Sequence, residues 1–125
     1  MKVLIADDEP IARRVLREHL EAIADVEITG EAATGPEAVE QIFQAKPDLV
    51  LLDMEMPGLD GYRVKDMIKP HIGAAPIIAY TVHVSEINAV RKLGFDGFLG
   101  KPLDNARFPD QLARILNGEP VWDRV

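Results

Sequence analysis

Leu49-Val50-Leu51-Leu52-Asp53 decides how this chain folds. An unbroken aliphatic run with no polar alternation is the pattern of a strand covered on both faces. Such strands belong to parallel sheets packed between helices. Lys46-Pro47-Asp48 breaks the helical pattern before the run, and Met54 to Gly61, with Pro57, Gly58 and Gly61, forms a loop after it. The strand therefore delivers the Asp53 carboxylate at its carboxyl end, where open α/β sheets bind their ligands.

Working outward, the same grammar repeats. Val3-Leu4-Ile5-Ala6 is a second doubly covered strand and ends in Asp7-Asp8-Glu9. From Pro10 a helix follows, with Ala12, Leu16, Leu20 and Ile23 on one face. Val26 to Ala32 alternates, as an edge strand does. Thr34 and Glu37 have the spacing of a capping box for a helix with Ala38, Ile42 and Phe43 as its apolar stripe. Tyr62 to Ile68 reads as a helix with Val64, Met67 and Ile68 inward. Pro76 to Tyr80 reads as a strand ending at Thr81, Glu86 to Leu93 as a short helix, and Phe98-Leu99-Gly100 as a brief strand leading to Lys101-Pro102. The last helix covers about 105–116, with Phe108, Leu112, Ile115 and Leu116 on one side and Pro109 confined to its first turn. Regular strand–helix alternation predicts an α/β fold: one parallel, doubly wound sheet of five strands with helices on both faces. The domain spans 1–117, and 118–125 is a short tail in which Trp122 packs back on the domain, with a docking or dimerisation segment as the alternative.

Composition narrows the function. A chain of 125 residues, 47% hydrophobic and 28% charged, suits one globular domain. The absence of cysteine excludes disulfides, thiolate metal sites and Cys nucleophiles. A net charge of -7 argues against nucleic acid as a partner, which demands a basic footprint. No stretch is long and apolar enough to span a membrane or serve as a signal peptide. A cytoplasmic location is the expectation.

The strand ends carry the chemistry. They offer Asp7, Asp8, Asp53, Thr81 and Lys101, all of which the fold would gather into one cleft. Clustered carboxylates repel and call for a counter-ion, and hard oxygen ligands suit Mg²⁺ or Mn²⁺. Phosphoryl transfer needs a nucleophile and positive charge around the transferred oxygens. Asp53 fits the nucleophile, Lys101 and a metal the charge, and Thr81 a hydrogen-bond donor to the phosphoryl group. Taken singly, Asp7-Asp8-Glu9 would be a solvated turn, Lys101 a surface lysine and Thr81 a helix cap. His19 and His71 lack metal-ligand spacing, and Met54 and Met56 fit loop packing.

Four segments, in order and spacing, resemble the receiver domain of bacterial two-component response regulators over essentially the full length. They are Val3 to Glu9, Leu49 to Gly61, Ile77 to Thr81 and Gly100-Lys101-Pro102. The resemblance implies a flavodoxin-like fold with strand order 2-1-3-4-5. It implies Mg²⁺ held by Asp8, Asp53 and the backbone carbonyl of Glu55, with Asp7 acting through water. It implies phosphotransfer to Asp53 from a phosphohistidine on a sensor histidine kinase or a histidine phosphotransfer protein. It further implies a switch in which Thr81 moves toward the phosphoryl group and Phe98 turns inward. The face built from the fourth helix, fifth strand and fifth helix then changes its binding to an output protein. The Lys101–Pro102 peptide bond is cis in relatives. The pattern also accommodates a weak homodimer.

Several positions depart from the family's usual pattern. Phe98 stands where many relatives have Tyr, so packing alone would govern its rotation, and a plain core role competes with the switch role. Val82 follows Thr81 where small residues are common and would crowd the phosphoryl group. Glu55 and His83 occupy positions that tune phosphoryl lifetime in the family and would pair across the mouth of the site, although an exposed, inactive His83 fits equally well. The expectation is a stand-alone receiver, or one cut from a longer protein, that catalyses only its own phosphorylation and slow autodephosphorylation and acts through protein–protein contact or onward phosphotransfer. Two other classes compete: an Asp-nucleophile phosphatase, which usually carries a second Asp where this chain has Glu55 and a cap domain for which this chain shows no obvious segment, and a non-phosphorylated pseudo-receiver that only binds partners.

Overall fold

The computed structural model describes residues 1–23, 25–81, 84–101, 103–104, 106–119 and 121–123, the side chain of Val84 excepted. The elements run β1 (Lys2–Ala6), α1 (Pro10–Glu21), β2 (Glu27–Ala32), α2 (Gly35–Ala45), β3 (Leu49–Asp53), α3 (Gly61–Ile68), β4 (Ile77–Thr81), α4 (Ile87–Lys92), β5 (Gly97–Gly100), α5 (Phe108–Leu116) and β6 (Val121–Asp123). Every strand pair is parallel, in the order β2-β1-β3-β4-β5-β6. This is the flavodoxin-like arrangement expected, with β2 at one edge. The correction is a sixth strand beside β5, formed by residues read from sequence as a tail.

Alternate residues of each central strand enter opposite layers, as the two-residue period of a strand requires. Leu4, Val50, Leu52, Ala79 and Phe98 face the layer built with α2, α3 and α4. Val3, Ile5, Leu51, Tyr80 and Leu99 face the layer built with α1 and α5. Because helices cover both sides, residues 3–6 of β1 and 49–52 of β3 are apolar and buried, and the carboxyl ends of both strands are left open at one rim.

The helix starts follow their signals. Pro10 and Pro109 lie in the first turns of α1 and α5. The Thr34 side chain accepts a hydrogen bond from the Glu37 backbone N–H at 3.2 Å. Glu37 returns a bond to the Ala33 N–H at 2.9 Å, one residue earlier than a strict capping box places it. Thr34→Ala is expected to cost about 1 kcal/mol in urea unfolding.

Two stripe assignments change. Phe43 is 44% exposed and Met67 46% exposed. Each stands one residue, about 100° of helix, from a buried neighbour, Ile42 or Ile68, and so turns toward solvent. Phe43 meets the edge of His71 there, with ring centres 4.9 Å apart. The last helix begins at Phe108 rather than near residue 105. Among the described residues no helix is long and apolar enough to cross a membrane.

Candidate functional site

β1 and β3 end side by side, and β4 and β5 end next to them. Asp7, Asp8 and Asp53 each offer a carboxylate oxygen, and these lie within 4.8 Å of one another. Asp7 is fully buried, Asp53 is 3% exposed and Asp8 faces solvent. Lys101, directly after β5, brings its Nζ to 2.7 Å from Asp7 Oδ2 and 3.1 Å from Asp53 Oδ2. Asp53 Oδ1 accepts the Glu55 backbone N–H at 3.1 Å, and Asp7 Oδ1 accepts the Glu9 N–H at 2.9 Å. Thr81 is buried at the end of β4, opposite Gly100 in register, and its carbonyl accepts the Lys101 N–H at 2.9 Å.

The electrostatics follow from burial. Loss of water pushes the Asp53 carboxyl up to about 7 against the pull of the Glu55 N–H and Lys101, and the Asp7 charge adds to the rise. Burial also works against the Lys101 ammonium. Its bond to Asp7 and the charges of Asp53 and Asp7 outweigh that penalty and leave it above its ordinary value. The site thus holds one ammonium against three carboxylates. An all-oxygen cluster with a solvent-facing member matches the preference of Mg²⁺ for a few carboxylates plus water.

The structure brings together Asp7, Asp8, Asp53, Lys101 and the backbone of Glu55, with Thr81 at the adjoining strand end. The Glu55 side chain is exposed. Phe98 is fully buried on the α4 side of the sheet, three residues before Lys101. Val82, His83 and Pro102 lie outside the described residues, and with them the expected pairing of His83 and the Lys101–Pro102 peptide bond.

Some contributors were not singled out from sequence. Tyr80 places its ring under Lys101, with Nζ 4.7 Å from the centroid, and burial pushes its hydroxyl up to about 12. Its signal was an aromatic residue one position before Thr81, which the strand period turns to the opposite face. Glu9 adds a carboxylate 3.8 Å from Lys101 Nζ. Gly61 shapes the acceptor loop. Its N–H bonds the Met54 carbonyl at 3.1 Å, and a Cβ on it would sit 2.8 Å from Met54 Cα and 3.0 Å from the Asp53 carbonyl oxygen. Backbone cannot give way as a flexible side chain can. Gly61→Ala is expected to cost about 1–3 kcal/mol in denaturant unfolding and to weaken metal binding at Asp53.

Comparison with known proteins agrees with this geometry. Residues 3–113 match the family described as response regulator receiver domain. The chain is 38% identical over 117 residues to the transcriptional regulatory protein BtsR of Escherichia coli K12, covering 92% of this chain and 48% of that protein. It superposes on the non-phosphorylated receiver domain of the stress response regulator RcsB from Escherichia coli with a TM-score of 0.88, at 28% identity and 98% coverage of both chains. The isolated receiver domain of RcsB from Salmonella enterica, solved with the phosphomimetic BeF3-, gives a TM-score of 0.85 at 29% identity, covering 95% of this chain and 90% of that one. The chain spans about half the length of the BtsR relatives it matches, namely their receiver portion.

Proposed function

The chain belongs to the response regulator receiver domain family, and from that premise we propose that Asp53 accepts a phosphoryl group from a phosphohistidine on a sensor histidine kinase or histidine phosphotransfer protein. An Asp53 carboxylate oxygen attacks phosphorus, the P–N bond breaks as the P–O bond forms, and the imidazole leaves. The observation that carries this reading is the position of Asp53, at the carboxyl end of β3 with Asp7, Asp8 and Lys101 converging on it.

Each neighbour has a task. Lys101 exchanges its Asp53 oxygen for a phosphoryl oxygen, and Asp7 keeps it aimed. Thr81 donates a hydrogen bond to the phosphoryl group. Asp8, Asp53 and the backbone carbonyl of Glu55 would hold Mg²⁺ or Mn²⁺, with Asp7 acting through water. When bound, the ion supplies positive charge that offsets the carboxylates and the incoming phosphate. The added charge biases a two-state element, in which Thr81 and Phe98 shift and the face of α4, β5 and α5 changes its binding to an output protein. The chain catalyses only its own phosphorylation and slow dephosphorylation, in the cytoplasm. Its net charge of -7 leaves direct nucleic-acid binding outside the proposal.

Intact-mass measurement after mixing with a phosphohistidine donor or acetyl phosphate is the test. The expected result is one phosphoryl group per chain, dependent on magnesium and removed by hydroxylamine, which cleaves acyl phosphates and leaves Ser and Thr esters intact. A hydroxylamine-resistant adduct, or none with any donor, overturns the reading.

A further inference from the structure

An uncovered edge strand offers a row of unpaired backbone groups that another strand can occupy. At the edge of β5 that place is taken by residues 121–123, paired Gly97↔Val121, Phe98↔Trp122 and Leu99↔Asp123. The edge is shaped for its occupant. A Cβ on Gly97 would sit 2.9 Å from the Val121 carbonyl oxygen and 2.8 Å from Ile78 Cδ1, so the missing side chain permits the approach.

Side chains of β6 alternate between the flanking helices. Val121 is fully buried in the α5-side core. The Asp123 carboxylate accepts Gln111 Nε2 at 2.9 Å, with Arg107 Nη2 at 3.6 Å and Arg114 Nη1 at 3.9 Å. Trp122 turns to the α4 side, where it packs on the cluster that includes Phe98 and carries the Arg91 guanidinium 4.6 Å above its ring. β6 thus bridges α4 and α5 across β5. Its hold is a three-residue ladder, one buried valine, the Trp122 contact, the Gln111 hydrogen bond and partly exposed ion pairs of small individual worth.

We propose that the edge of β5 between α4 and α5 is a strand-docking surface whose resting occupant is residues 121–123 of this chain, and that phosphorylation of Asp53 loosens that occupant. This rests on the phosphoacceptor reading above. The coupling runs through neighbours on one face of the sheet. Phe98 is the register partner of both Ala79 and Trp122, and Thr81, two residues after Ala79, is its diagonal neighbour. A phosphoryl group on Asp53 draws Thr81 toward it, while Lys101, already 3.1 Å from Asp53, stays in place. Phe98 gains room toward Thr81 and withdraws the surface on which Trp122 rests.

Trp122 is the only tryptophan in the chain, so its emission reports this contact directly. Magnesium and beryllofluoride are added to the full chain, fluorine NMR follows occupancy, and Trp122 emission and acrylamide quenching are recorded in parallel. The expected result is a red shift with increased quenching as beryllofluoride binds. Because coupling is reciprocal, Asp123→Ala should bind beryllofluoride about fivefold or more tightly than the parent chain. Bound beryllofluoride with unchanged or blue-shifted emission, or with equal affinity in Asp123→Ala, overturns the docking inference and leaves the acceptor reading intact. Failure of beryllofluoride to bind, together with no phosphoryl uptake, overturns both.

Discussion

Asp53→Asn is expected to abolish phosphoryl uptake and at the same time to raise the melting temperature of the metal-free protein at pH 8. The first effect is chemical, because an amide has no carboxylate oxygen to attack phosphorus. The second follows from burial. The folded Asp53 carboxyl is pushed up to about 7 from the usual 3.8, so between these values the folded state holds a proton that the unfolded chain has released. Stability from this group is therefore complete below the unfolded value and is lost as pH rises through the folded one. Asparagine removes that loss, while Lys101 keeps its 2.7 Å contact with Asp7. The gain should be on the order of 2 kcal/mol, roughly 8 °C in Tm, at pH 8 in EDTA, and should vanish near pH 4. Scanning calorimetry at the two pH values checks it. A variant that melts below the parent at pH 8 would mean that the bond from Lys101 to Asp53 outweighs burial.

Lys101→Met should produce the largest loss of stability at the site. Among the described residues Lys101 is the cation that pairs with the Asp7 and Asp53 carboxylates, whereas the Arg13 guanidinium reaches the Asp7 backbone carbonyl. Removing one partner from a buried ionic group typically costs about 3–5 kcal/mol, because the remaining charge has no compensation. The cost belongs to the ionised carboxylates, so it should be greatest at pH 8 and shrink toward pH 5 as Asp53 takes up a proton. Magnesium should restore more stability to Lys101→Met than to the parent chain, since the ion replaces the missing charge. Urea unfolding at pH 5 and pH 8, with and without magnesium, measures all three effects. A loss of equal size at both pH values would assign Lys101 a packing role through its stem and the Tyr80 ring.

Much of this architecture was legible in the chain because its signals are local. An unbroken aliphatic run such as Leu49 to Leu52 encodes cover on both faces by itself. The proline and capping signals at Pro10, Thr34 and Pro109 act within one turn. Parallel strands with helical crossovers must place their carboxyl ends at one rim, so Asp7, Asp8, Asp53, Thr81 and Lys101 follow once the strands are known. The stripe of α2 was misassigned at Phe43 because adjacent apolar residues both match a helical period loosely. Only the packed neighbours decide which one faces inward.

The sequence by itself determined the class of fold, the order of its elements and the identity of the acidic and basic groups at the strand ends. Tertiary structure alone decided that Lys101 bridges Asp7 and Asp53, that Tyr80 lies beneath it, that Gly61 presses against the acceptor loop, and that residues 121–123 form a sixth strand. The physical reason is range. Strand and helix patterns arise from neighbours along the chain, whereas a three-residue strand has too few local contacts to specify itself. β6 exists because β5 supplies its ladder, Gly97 its clearance, and α4 and α5 the partners for Trp122 and Asp123.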